Sequence, residues 1–135
     1  MPARAHVLIV DDDPIVGQTF GRMLTVSGFE ATVAQSAQSA LEAAAVQLPD
    51  VILTDLRMPM SDGMDLITRL RRDPHLREVP VAVITGDHFL TEEFLAELRT
   101  YGAAVRFKPL FMNDLLSLVE GLLASGPSSH GAQAQ

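Results

Sequence analysis

Three short runs, Val7–Val10, Val51–Leu53 and Val81–Ile84, are apolar at every position. A strand with one face in water alternates apolar and polar residues, whereas one covered on both faces does not. Two further runs, Glu30–Ala34 and Ala104–Lys108, do alternate. Helical periodicity fills the intervals. Asp13-Pro14 reads as an N-cap followed by proline in the first turn of a helix that carries Val16, Phe20, Met23 and Leu24 on one face and ends at Gly28. Ser36 caps a second helix, with an inner stripe of Ala37, Ala40, Leu41, Ala44 and Leu48. Met58–Gly63 is rich in turn formers, and Asp62 is the expected cap of a third helix along Met64, Ile67, Leu70 and Arg71. Thr91 caps a fourth helix, with Phe94, Leu95, Leu98 and Tyr101 inward and Gly102 at its end. A last, strongly apolar helix is expected over Leu110–Ala124.

The order is strand then helix, five times over. Such a chain forms a parallel sheet with helices on both faces. Fully apolar strands belong in the middle of the sheet and alternating ones at its edges. The pattern therefore predicts the strand order 2-1-3-4-5, an α/β doubly wound sandwich of the flavodoxin-like type. The domain is expected over residues 5–124. Residues 125–135, SGPSSHGAQAQ, lack periodicity and read as a flexible C-terminal tail.

Composition narrows the class. A chain of 135 residues with 47% hydrophobic content suits one globular domain. The formal net charge is −7, and the one basic cluster is Arg69-Leu-Arg-Arg72, which argues against nucleic acid and anionic membranes as partners of the domain. Cysteine is absent, and no apolar stretch approaches a membrane span. A soluble, cytoplasmic protein is expected. His6, His75, His88 and His130 lack metal-ligand spacing and are expected at the surface or in loops.

The polar residues that close the strands carry the chemistry. Ligands of open parallel sheets bind beyond the carboxyl ends of the strands, where the strand order reverses. With order 2-1-3-4-5 the reversal falls between the first and third strands. Asp11 and Asp12 close the first, and Asp55 closes the third. Thr85 and the only lysine, Lys108, close the fourth and fifth. Crowded carboxylates repel one another unless a cation intervenes. Mg²⁺ is the expected cofactor, because it takes oxygen ligands and is held by one or two carboxylates beside a phosphate. Carboxylates, an ammonium and a hydroxyl together suit phosphoryl transfer to a carboxylate. Asp13 is assigned to the helix cap and left out of the metal site.

With those residues in place, the chain resembles the receiver domains of two-component response regulators over about residues 5–124. VLIVDDDP is similar to the family's acidic first-strand motif, and LTDLRMPMSDG to its phosphoacceptor motif. VITG and FKPL are similar to its hydroxyl and lysine motifs. The resemblance implies that Asp55 is phosphorylated, that Asp12 and Asp55 bind Mg²⁺ with the backbone carbonyl of Arg57, and that Asp11 acts through water. It implies a donor phosphohistidine on a sensor histidine kinase or phosphotransfer protein, with Thr85 drawn inward after transfer. Val105 stands where the family usually has an aromatic residue, and Phe107, of the same strand parity, is the candidate substitute. Arg57 and Asp87, each two residues beyond a site residue, are candidates for a pair across the site entrance.

The expectation is a phosphorylatable single-domain regulator rather than an enzyme, with its downstream effector unidentified. A homodimer through the last helix remains open. Two other classes compete. A receiver-like interaction module would not respond to phosphate, and would typically lack one of the acidic, threonine or lysine positions. A Mg²⁺-dependent aspartyl phosphatase of the haloacid-dehalogenase type would open with a DxDx(T/V) motif on the first strand and carry a cap insertion, and this chain has neither.

Overall fold

The computed structural model describes residues 4–56 and 63–125. Five strands and five helices alternate: β1 (His6–Val10), α1 (Pro14–Val26), β2 (Glu30–Ala34), α2 (Ala37–Val46), β3 (Val51–Thr54), α3 (Gly63–Arg72), β4 (Val81–Thr85), α4 (Glu92–Thr100), β5 (Ala103–Phe107) and α5 (Met112–Ser125). All pairings are parallel, in the order β2-β1-β3-β4-β5. This is the flavodoxin-like arrangement that the strand patterns predict.

The continuous apolar runs serve two cores at once. Leu8, Val10, Ile52, Val81 and Val83 point to the side of α2, α3 and α4, where they meet Ala40, Ile67, Leu70 and Leu98. Val7, Ile9, Val51, Leu53, Ala82 and Ile84 point to the other side, against Phe20 and Leu24 of α1 and Leu115, Leu118 and Val119 of α5. Every described residue of β1, β3 and β4 is buried. The edge strands are not: β2 is mostly half-buried, and β5 opens to solvent at Arg106 and Phe107.

Helix ends follow local chemistry. Asp13 Oδ1 accepts the Ile15 N–H at 2.9 Å, with Pro14 in the first turn. Ser36 and Ser39 form a reciprocal capping box, and Thr91 Oγ1 accepts the Phe94 N–H. After α1 the Phe29 N–H reaches Leu24 O and the Gly28 N–H reaches Thr25 O, a Schellman closure. It needs the φ of +99° that Gly28 adopts without steric cost.

Four expectations need correction. His6 is no surface residue: as the first residue of β1 it is buried, with Nε2 2.7 Å from the Thr32 hydroxyl. Leu48 does not join the inner stripe of α2, because the helix stops at Val46 and leaves Leu48 exposed. The last helix starts at Met112 rather than Leu110, three residues after the proline of the cis Lys108-Pro109 peptide, and it runs on through Ser125, the first residue of the expected tail. Its surplus of leucine is largely absorbed by the fold, since Leu116, Leu122 and Leu123 pack against the α1/α5 core. The expected cap Asp62 and the remainder of the tail lie outside the described residues.

Arg71 sits on the inner face of α3, as its spacing predicts, but its role there is polar. Its guanidinium donates to Tyr101 O at 2.8 Å, Val79 O at 2.8 Å and Arg77 O at 3.1 Å, fastening α3 to the end of α4 and to the turn before β4. Burial without a carboxylate partner pulls its pKa down. Arg71→Met keeps the stem but strips these carbonyls of their donor. It is expected to lower unfolding stability by about 1–3 kcal/mol, read from the urea midpoint, and an unchanged midpoint would show that the cross-tie contributes nothing.

Candidate functional site

The backbone brings the acidic residues together before any side chain acts. Val10 pairs with Thr54 across β1 and β3. The Asp55 N–H extends that ladder by one bond, to Val10 O at 2.8 Å, and the Asp11 N–H continues the β1–β2 edge to Ala34 O at 3.0 Å. Asp11 and Asp55 therefore leave adjacent strands side by side, at the reversal of strand order. On the far side the start of α3 presses on the acceptor strand. A Cβ added to Gly63 would lie 2.6 Å from Asp55 O and 3.1 Å from Leu56 Cα, and the Gly63 N–H donates to Leu56 O at 2.8 Å. Only glycine allows that approach.

Lys108 follows β5, two strands away from β3. At about 4.8 Å per strand the backbones of β5 and β3 stand roughly 10 Å apart, a gap closed jointly by the long lysine side chain and by the carboxylate side chains that reach toward it. Its Nζ lies 3.2 Å from Asp11 Oδ2 and 3.3 Å from Asp55 Oδ2. The second oxygens are held by the main chain. Asp11 Oδ1 accepts the Asp13 N–H at 2.9 Å, and Asp55 Oδ1 accepts the Leu56 N–H at 2.7 Å.

The charges are mutually adjusted. Burial raises the Asp11 carboxyl above the ordinary carboxylate range, and Asp55 adds to the rise. The Asp13 N–H and the Lys108 ammonium offset part of it. For Lys108 burial alone would lower the pKa, but the carboxylates of Asp55 and Asp11 outweigh it and the net shift is upward. Lys108 thus stays charged throughout the neutral range.

Asp12 completes the acidic group. One oxygen from each of Asp11, Asp12 and Asp55 can be chosen so that all three lie within 4.8 Å of one another. Mg²⁺ takes its oxygens in an octahedron at about 2.0–2.1 Å and keeps several waters, so the group could hold the ion with some carboxylates bound directly and others through water. By formal charge, three carboxylates against one ammonium leave two negative charges, and the donors are all hard oxygens. Both features fit a divalent cation of the Mg²⁺ type.

Thr85 ends β4, wholly buried, and its Oγ1 accepts the Asp87 N–H at 3.0 Å. Phe107 is its register partner on β5. Val105 instead packs into the α2–α4 core. Arg57 lies outside the described residues, and so do its expected carbonyl ligand and its pairing with Asp87. Three contributors escaped the sequence reading. Thr54 donates its hydroxyl to Asp55 O at 2.8 Å, and a polar residue closing an otherwise apolar strand was its signal. Gly63 was read only as part of a turn. His88, whose ring stacks on Phe107, gave no local signal.

The raised Asp11 pKa has a definite sign in stability. A carboxyl whose pKa is higher in the folded chain stabilises the fold fully below its ordinary value of 3.8, and that contribution is lost as pH rises through the raised value. Without added divalent cation, Asp11→Asn is expected to be more stable than the parent at neutral pH. The difference should close on acidification below the ordinary carboxylate range. Urea midpoints measured across pH test this, and a difference independent of pH would remove Asp11 as the source.

Comparison with known proteins agrees with this geometry. A family model described as response regulator receiver domain matches residues 7–120. The transcriptional regulatory protein PrrA of Mycobacterium bovis is 34% identical over 118 residues, covering 87% of this chain and 49% of that protein. Response regulator MprA of Mycolicibacterium vanbaalenii is 30% identical over 132 residues, covering 98% and 55%. The chain thus spans about half the length of the curated relatives it matches. Among solved structures, chemotaxis response regulator CheY4 of Vibrio cholerae superposes with a TM-score of 0.81 at 27% identity, covering 90% of this chain and 100% of the other. A response regulator receiver protein from Pseudomonas putida gives 0.82 at 28% identity, covering 90% and 99%. By sequence and by fold, the chain belongs to the response regulator receiver domain family, the signalling domains of two-component systems.

Proposed function

We propose that Asp55 accepts a phosphoryl group from a phosphohistidine on a sensor histidine kinase or phosphotransfer protein. The observation that carries this reading is the ammonium of Lys108 shared between Asp11 and Asp55 at the switch point of the sheet. An Asp55 oxygen attacks phosphorus in line; the O–P bond forms as the P–N bond breaks, and the electron pair leaves with the imidazole nitrogen. The Leu56 N–H and Lys108 hold the Asp55 carboxylate in place. Lys108 then balances charge on the transferred group, and the Thr85 hydroxyl turns from the Asp87 N–H to donate to a phosphoryl oxygen. In this reading Asp12, Asp55, the Arg57 carbonyl and, through water, Asp11 would hold Mg²⁺, which when bound would supply positive charge to the phosphoryl oxygens.

The domain, residues 5–124, acts in this reading as a switched element in the cytoplasm, reached by its kinase there, and it signals through a change of conformation rather than through turnover of a substrate. Among the described residues no helix is long and apolar enough to cross a membrane.

Incubation with Mg²⁺ and acetyl phosphate is expected to add one phosphoryl group by mass, lost in Asp55→Asn. Rapid turnover of phosphomonoesters would instead indicate a phosphatase, and a chain that takes no label from acetyl phosphate or from a kinase would be an interaction module. A second outcome concerns the cation. At ten times its dissociation constant Mg²⁺ should add about 1.4 kcal/mol to unfolding stability, and the gain should disappear in Asp12→Asn. Equal stabilisation of that variant would place the ion elsewhere.

A further inference from the structure

The β4·β5 ladder changes character just where the site begins. In a regular parallel pair, a residue donates its N–H to a carbonyl on the neighbouring strand and accepts, at its own carbonyl, from the residue two positions further along that strand. Lys108 follows the first half of the rule: its N–H donates to Thr85 O at 2.8 Å. The second half would bring the Asp87 N–H to Lys108 O. That N–H is given instead to Thr85 Oγ1, at 3.0 Å. The next residue of the chain, Pro109, has no N–H with which to extend any ladder.

The Lys108 carbonyl is met from elsewhere. His88 Nε2 lies 3.2 Å from it. A carbonyl can only accept, so Nε2 carries the hydrogen, as it does in both the Nε2–H neutral tautomer and the imidazolium. The ring is steadied by stacking on Phe107, with centroids 5.1 Å apart and planes 23° from parallel. Phe107 is in turn the register partner of Thr85. The main chain of Lys108 is therefore held at both of its polar groups from the end of β4 and the loop after it, through its N–H by Thr85 and through its carbonyl by His88.

We propose that His88 is a positioning residue for Lys108: its imidazole N–H replaces the missing rung of the β4·β5 ladder and fixes the backbone from which the ammonium reaches Asp11 and Asp55. The inference rests on the phosphoacceptor reading of the site only for its functional consequence. Its structural half stands on the contacts of His88 alone. A long, flexible side chain spanning two strands is only as well placed as the main chain that launches it. The loss of one modest hydrogen bond at that point shows as misplacement of the ammonium rather than as unfolding.

Lys108 is the chain's only lysine, so protein labelled with ¹³C-lysine gives a single side-chain signal set. Wild type is compared with His88→Ala, with His88→Phe, which retains a ring to stack but no donor, and with His88→Gln, which retains an N–H donor. Two readouts are taken: the order of the Lys108 ε-methylene by relaxation, and the rate of acetyl phosphate labelling at Asp55. Alanine and phenylalanine variants are expected to lose lysine order and to label about fivefold more slowly, the rate equivalent of one modest hydrogen bond. Glutamine should recover both, and thermal midpoints should stay together. Unchanged lysine order in His88→Ala overturns the proposal, and so does wild-type behaviour in His88→Phe, which would assign the effect to stacking. If even the wild type takes no label from acetyl phosphate or from a kinase, the phosphoacceptor reading falls, and the lysine signal alone still decides the role of His88.

Discussion

One ammonium group holds three strands to a common purpose. Lys108 leaves the edge strand β5, passes β4, and sits between carboxylates carried by β3 and β1. The Asp11 carboxylate would not lie comfortably at that depth alone, since burial penalises its charged form. The lysine is partly desolvated too, and it retains its proton because the two carboxylates face it. Two carboxylates share one ammonium on the buried side, and Asp12 adds a further negative charge on the open side. A site of that kind is poised for cations and for groups that carry their own negative charge in company with a cation.

The rest of the fold exists to hold that balance in register. β1, β3 and β4 form a slab with apolar side chains on both faces, so a slip of one residue would exchange the two cores. The strand ends inherit this rigidity. Asp11 and Asp55 emerge level because Val10 and Thr54 are paired beneath them. Arg71, buried without an acid, closes the opposite end of the helical layer by satisfying carbonyls that the turn before β4 and the end of α4 would otherwise leave without a donor.

Much of this was legible in the chain itself. Continuous against alternating runs distinguished inner from edge strands, because burial on both faces removes any need for polar positions. The helix caps were legible because Asp13, Ser36 and Thr91 act on N–H groups two or three residues away. The acidic and lysine positions were legible because strand order converts sequence position into a place on one rim. His6 was misjudged because a polar residue at the start of a strand looks solvated until its partner, Thr32 on β2, is known. Leu48 was misjudged because helical periodicity carries no mark for where a helix stops. His88 gave no signal, since it matters through Lys108, twenty residues along the chain, and Gly63 signalled only a turn, since its role lies in how closely α3 approaches Asp55. Val105 was identified as a departure from the resemblance, and its place in the α2–α4 core shows that a strand position can serve packing when an aromatic ring sits two residues further on.

The contact between Gly63 and the carbonyl of Asp55 has a mechanical corollary. On that side the acceptor strand abuts helix backbone with no side chain between them, so there is no slack to take up. On the other side Gly86, in the loop after β4, has open space around it and is exposed to solvent. The two walls of the site therefore differ in packing, one close-packed against backbone and the other open. Asp55 thus meets helix backbone at Gly63, while the loop that joins β4 to α4 has open space at Gly86.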